Sequence, residues 1–255
     1  MIQEEKDVKK NHQNRCQNIH HLFENALKCV IMFFKYLFEV ESMDYIFQVL
    51  PRLLDGAIVS LQVFCVVLIL SLPLGAVVSF LMQIKFAPLR WLLHFYILIM
   101  RGTPLLLQLI FVYYVLPTVG VTFDRMPAVI IAFTLNYAAY FSEIFRGGIE
   151  AIPAGQYEAA KVLKLSQLQT IRYIILPQVI KVVLPSVFNE VVTLVKDTSL
   201  VYILGVGDLL QASKTAANRD ASLAPMFIAG AIYLIMIGVA TLASKQIEKK
   251  YNYYK

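Results

Sequence analysis

The sequence predicts an all-α integral membrane protein with a five-span core, and three observations predict it. Hydrophobic residues supply 58% of the 255-residue chain and charged residues only 16%, a balance that suits a bilayer far better than a soluble globule. The apolar residues are gathered into runs of about 20, the length a helix needs to cross the hydrocarbon core. Between two of those runs lies a polar, helix-prone insert, PAGQYEAAKVLKLSQLQTIR, starting at Pro153.

The first clear span is 57–82, with Pro73 as a kink tolerated inside a bundle. A short basic link carrying Lys85 and Arg90 follows. The next apolar run is too long for one crossing and is interrupted by Arg101-Gly102-Thr103-Pro104. A charge at mid-bilayer costs at least about 2.5 kcal/mol, whereas Thr103 as N-cap and Pro104 at the first helical position make a good helix start. The run is therefore divided into a short interfacial helix, 91–100, and a second span, 104–120. The third, fourth and fifth spans are 127–145, 173–195 and 225–244. Residues 26–40 are too short and too charged, at Lys28 and Lys35, for an ordinary span, and fit an amphipathic helix lying in the interface. The chain divides into an N-terminal extension (1–50), a membrane domain (51–245) and a short tail (246–255). No removable signal peptide is visible in the first residues.

Lysines and arginines near span ends orient the bundle. They collect in the first link, in the connection carrying Arg146, Lys161, Lys164 and Arg172, and in the tail from Lys245, so those segments are expected in the cytoplasm. The remaining connections, and with them the N-terminus, are expected outside, placing the chain in the cytoplasmic membrane with its C-terminus inside.

The cytoplasmic insert has good helix formers over 154–163, and Ser166 with Gln169 three residues on is a capping-box pattern that starts a second short helix. The two helices meet near Lys164. Leu165, Leu168 and Ile171 give the second an apolar edge, while Glu158, Lys161 and Lys164 are available for polar contact. Such a pair can dock in a partner's cleft and pass rigid-body motion into the spans at both its ends; it can equally lie on the bilayer as an amphipathic loop.

Several segments resemble one known family. Glu158-Ala159-Ala160, followed by Ile174-Ile175-Leu176-Pro177, is similar to the EAA loop of the permease subunits of bacterial ATP-binding-cassette importers. Leu54-Asp55-Gly56 leading into Ser60-Leu61, Arg101-Gly102-Thr103-Pro104-Leu105-Leu106, Phe141 to Ile149 (FSEIFRGGI) and Lys196-Asp197-Thr198-Ser199-Leu200 resemble the polar amino-acid subfamily. The match runs in order over residues 50–245. It implies a type I importer permease with a coupling helix within 156–171, and ATPase coupling through Gln156, Tyr157, Glu158, Ala159, Ala160, Lys161, Lys164, Leu165 and Ser166. It also implies separate ATPase subunits that use ATP and Mg, an external solute-binding protein, and a second permease subunit, identical or homologous. The family usually has glycine where this chain has Lys164, which would cost about 1 kcal/mol if the left-handed turn is kept.

The chain has no G-x-x-x-x-G-K-[ST] loop to cradle phosphates, so no ATP site, cofactor or catalytic role is expected in it, nor any nucleic-acid partner. His12, His20, His21, His94 and the three cysteines form no metal-ligand spacing. Polar groups inside spans are the default candidates for a route or gate: Arg101, Gln108, Asn136, Glu143, Asn189, Glu190, Lys196, Asp197 and Thr198. Their plainer roles are helix–helix hydrogen bonding, an ion pair between Glu143 and Arg146, and mutual neutralisation of Lys196 and Asp197. A self-contained secondary transporter or channel is the alternative class. It would couple solute to an ion through its own spans and would need no docking helix.

Overall fold

The computed structural model of the chain describes residues 43–251, so the expected interfacial helix at 26–40, and Cys16, Cys29, His12, His20 and His21, lie outside the described residues. The described residues are helical nearly throughout: α1 (Met43–Met82), α2 (Ala87–Gly102), α3 (Leu105–Ile110), α4 (Arg125–Glu150), α5 (Ala154–Val162), α6 (Gln167–Gln169), α7 (Leu176–Asp197), α8 (Leu209–Asp220) and α9 (Ala224–Tyr251). A wide π turn, Phe111–Val115, and a 3-10 turn, Leu116–Val119, extend α3. A second π turn, Thr170–Ile175, joins α6 to α7, and a 3-10 segment, Thr198–Leu204, extends α7.

Four helical stretches are long and apolar enough to cross a membrane, and the pair formed by α2 and the α3 run makes a fifth if taken as one broken span. That pair is bent by 108° at the Thr103–Pro104 break, so the division read from the sequence holds. Its cap does not. Thr103 ends α2 rather than starting α3: its N–H and its hydroxyl both donate to the Ile99 carbonyl, at 3.1 and 2.8 Å, and Pro104 takes the N-cap position of α3. Proline lacks an N–H and fixes φ, so it suits the first residue after a break.

Other boundaries shift: α1 passes through Pro73 as one helix, α4 and α9 extend past the expected spans, and α7 covers Leu176–Asp197 where 173–195 was expected. The expected second helix of the insert is the largest change, for α6, the π turn and α7 form one continuous stretch, 167–204. Both π turns stand just ahead of a proline, Pro117 and Pro177. A proline cannot supply the i→i−4 bond and its ring crowds that carbonyl. A turn closed by i→i−5 bonds, Leu116 to Phe111 and Leu176 to Ile171, carries the helix across without a break.

α4 is the hub. Ala128, Ala132, Phe133, Tyr137 and Phe141 are buried against Val63 and Val67 of α1, Leu109 and Val112 of the α3 run, and Leu194, Val201 and Leu204 of the α7 run. Small residues let neighbouring backbones close on it, as helix packing in a bilayer requires. Gly148 is the tightest such point, where a Cβ would collide with a Val183 methyl of α7.

Candidate functional site

The insert is built from its own caps. α5 closes in a Schellman turn: the Leu165 N–H donates to the Ala160 carbonyl at 3.1 Å and the Lys164 N–H to the Lys161 carbonyl at 3.0 Å. Lys164 holds φ +54° there, so the left-handed turn is kept with lysine in place of glycine. Ser166 then caps α6 reciprocally: its hydroxyl accepts from the Gln169 N–H at 3.3 Å and its own N–H donates to the Gln169 side chain at 2.8 Å. Ala160 is buried beneath the turn, whereas Gln156, Glu158, Ala159, Lys161 and Lys164 are exposed and Tyr157 and Leu165 are half-buried. Val162 (82%), Leu163 (68%) and Leu168 (74%) are exposed apolar side chains on the same knob.

A polar clamp forms at the 108° bend. The Gln108 amide donates to the Met100 carbonyl at 2.9 Å and to the Thr103 hydroxyl at 2.8 Å, and the Asn136 amide donates to the same Met100 carbonyl at 2.7 Å and to Gln108 at 3.0 Å. The last carbonyls of a helix have no intrahelical partner and no water to turn to in hydrocarbon. Gln108 and Asn136 therefore satisfy the broken end of α2.

A ladder of charge runs along α4 below the bend. Arg146 grips Glu143 through two bonds of 2.8 Å and Glu150 at 2.7 Å, and Arg101 reaches Glu143 at 3.4 Å while stacking over the Tyr140 ring at 5.2 Å. The ion pair suggested by the Glu143–Arg146 spacing forms, and Arg101 extends it across two helices. His94, Arg101, Glu143 and Arg146 line one open pocket of about 550 Å³.

The third cluster sits on the α7 run. The Asp197 carboxylate accepts from the Tyr137 hydroxyl of α4 at 2.7 Å, and the adjacent Lys196 acts on it electrostatically. Glu190 lies within electrostatic reach of Arg101, Lys196 and Asp197, so candidates from α2 and α7 converge. Lys196 and Asn189 are exposed, and Thr198 is buried with its hydroxyl donated to the Val195 carbonyl at 2.8 Å. Sequence reasoning missed Tyr137 and Tyr140. A tyrosine pair beside Ala138 and Ala139 in a helix of small residues was the available signal.

On the opposite side from the insert, α8 docks its N-terminus on α1. The Leu209 N–H donates to the Ser60 hydroxyl at 3.3 Å, and a Cβ on Gly56 would lie 2.9 Å from the Asp208 carbonyl oxygen. The Gly56 and Ser60 of the first motif are thus the seat of α8. Asp208 caps that helix through the Leu210 and Gln211 N–H groups, at 3.0 and 3.4 Å, and its burial pushes the carboxyl up to about 6.

Comparison with known proteins agrees with this architecture. Residues 71–253 match the model of the family described as binding-protein-dependent transport system inner membrane component. The arginine transport system permease protein of Bacillus subtilis (strain 168) is 38% identical over 203 residues, 79% of this chain and 93% of that protein. A putative glutamine transport system permease protein of Rickettsia felis is 36% identical over 212 residues, 81% and 97% of the two chains. Among solved structures, one of an amino acid ABC transporter with histidines aligns at a TM-score of 0.77 and 28% identity, covering 82% of this chain and 99% of that one. An inward-facing methionine ABC transporter aligns at 0.64 and 17% identity, which shows the fold alone.

Proposed function

The chain belongs to the binding-protein-dependent transport system inner membrane component family, and from that premise we propose that it is the membrane-spanning permease subunit of an ATP-driven importer of polar amino acids. One observation carries the coupling part of this reading: a capped, two-turned knob exposes Glu158, Lys161, Val162 and Leu168 while both its ends run straight into spans. A knob seated in an ATPase subunit would transmit that subunit's motion to α4 through the Ile152–Pro153 joint and to α7 through the unbroken 167–204 stretch. The chain lacks a phosphate-cradling loop, so ATP and Mg are handled by the ATPase partners. Nucleotide shifts the permease between inward-open and outward-open states only as far as it binds those states unequally.

The amino-acid substrate class is supported by the names of the related permeases, for arginine and glutamine. An external solute-binding protein delivers the substrate, and a second permease subunit completes the route. The route itself runs past Arg101, Glu143, Glu190 and Lys196, the charged groups that α2, α4 and α7 bring together. Gln108, Asn136 and Thr198 hold backbone in place behind it. The N-terminus lies outside and the C-terminus in the cytoplasm.

Glu158→Lys tests the reading. It reverses one charge on an exposed face, where fold stability moves by only about 0.5 kcal/mol. The variant is expected to insert at normal levels, to lose co-purifying ATPase and to lose ATP-dependent amino-acid uptake in vesicles. Uptake and co-purification at the parent level would overturn the docking role.

A further inference from the structure

Beneath the knob, α1, α4, α5 and the π turn leading into α7 enclose a groove of about 450 Å³. Ala76 and Phe80 of α1, Ile149 of α4, Tyr157 of α5, and Ile175 and Val179 at the start of α7 form its walls. The lining is almost wholly carbon, and the volume falls in the range of small-ligand sites, about 300–1,000 Å³. Two features point to an occupant. Ser79 lines the groove with a buried hydroxyl that has no hydrogen-bond partner among the described residues. Two exposed cations stand next to its lining in sequence: Lys85 lies two residues beyond Gln83, and Arg172, whose guanidinium lies over the Tyr173 ring at 5.8 Å, follows Ile171. Of the acids beside the lining, Glu150 of α4 is held by Arg146, and Glu158, next to Tyr157, shares the knob with the exposed Lys161 and Lys164, so the charge around the groove is net positive.

We propose that this groove binds one anionic phospholipid of the cytoplasmic leaflet, an acyl chain lying between α1 and α7 and the phosphate resting on Lys85 and Arg172. Basic pockets between spans on the cytoplasmic side are suited to such headgroups, and burying chain methylenes along Phe80, Ile175 and Val179 supplies the apolar part of the affinity. Because Tyr157 and Ile171 belong to the knob and its connection, the lipid touches the element proposed to couple to ATP. Uptake is then sensitive to anionic lipid. The inference rests on the orientation proposed above but not on the substrate.

The test uses the complete complex with its ATPase, in vesicles of phosphatidylcholine alone or mixed with phosphatidylglycerol, together with native mass spectrometry of the purified complex. The parent complex is expected to retain phosphatidylglycerol in preference to phosphatidylcholine and to transport faster when the anionic lipid is present. Leu176→Trp, which fills the groove from a half-exposed wall position, is expected to lose the retained lipid and the stimulation together. Lys85→Gln and Arg172→Gln are each expected to weaken retention about fivefold, the equivalent of about 1 kcal/mol per surface cation. Equal retention of both lipids, undiminished retention by Leu176→Trp, or a photo-crosslinker at position 80 that captures a second permease or the ATPase instead of lipid would each overturn the proposal. Failure of uptake in every lipid would count against the transport reading, whereas lipid-independent uptake counts against this site alone.

Discussion

Lys164, like Ala221 among the described residues, holds a left-handed backbone without being glycine. At φ +54° its Cβ crowds the following carbonyl, a cost of about 1 kcal/mol that glycine would avoid. The two Schellman bonds and the burial of Ala160 beneath the turn hold it there. Lys164→Gly is therefore expected to tighten the knob locally: hydrogen exchange at the amides of residues 164 and 165 should slow about fivefold, the factor matching ~1 kcal/mol. Unchanged protection would mean the turn carries no strain. The sequence alone makes Ser166 readable, because a capping box is a pattern of two side chains. The Lys164 conformation is not readable in that way, since a left-handed lysine has no local signature and only the resemblance to a family with glycine there points to it. The partner of Tyr137 was invisible for a related reason. The bond to Asp197 joins residues 60 positions apart, and no pattern within one helix announces it.

The broken α2–α3 pair is where one element depends most on polar side chains from elsewhere. Met100 offers one carbonyl to two amides, Gln108 and Asn136, so either alone leaves it partnered. Asn136→Leu and Gln108→Leu are each expected to cost about 1 kcal/mol, and the double variant more than the sum, because only then is the carbonyl orphaned. Thermal unfolding of the four members of the cycle in one detergent measures this. Strict additivity would show that the clamp does not act on a shared acceptor. The break itself was legible, since Arg101 and Pro104 together exclude a straight span. The fusion of the insert's second helix with the fourth span was not. The polar insert and the span expected from residue 173 read as separate elements, and the π turn that joins them ahead of Pro177 leaves no mark in hydrophobic spacing.

Across the whole molecule, the distribution of charge, the knob and α8 must agree on one orientation. Positive residues gather at the end of α1, along the insert and at the end of α9. The opposite face carries α8, with Asp208 capping it and Lys214 over the Tyr202 ring at 5.2 Å. If the insert meets a cytoplasmic ATPase, α8 must face the outside, where a solute-binding protein would arrive. Single cysteines placed in a cysteine-free background at Val162, on the knob, and at Asn218, on α8, separate the possibilities, since both positions are exposed. An impermeant maleimide applied to intact cells is expected to label position 218 and spare position 162, with both labelled after permeabilisation. Labelling of 162 alone in intact cells would invert the bundle. The ATPase coupling and the cytoplasmic lipid site would then fall together, because both require the insert on the inner face, whereas the bend clamp and the left-handed turn would stand, being properties of contacts that no choice of side can alter.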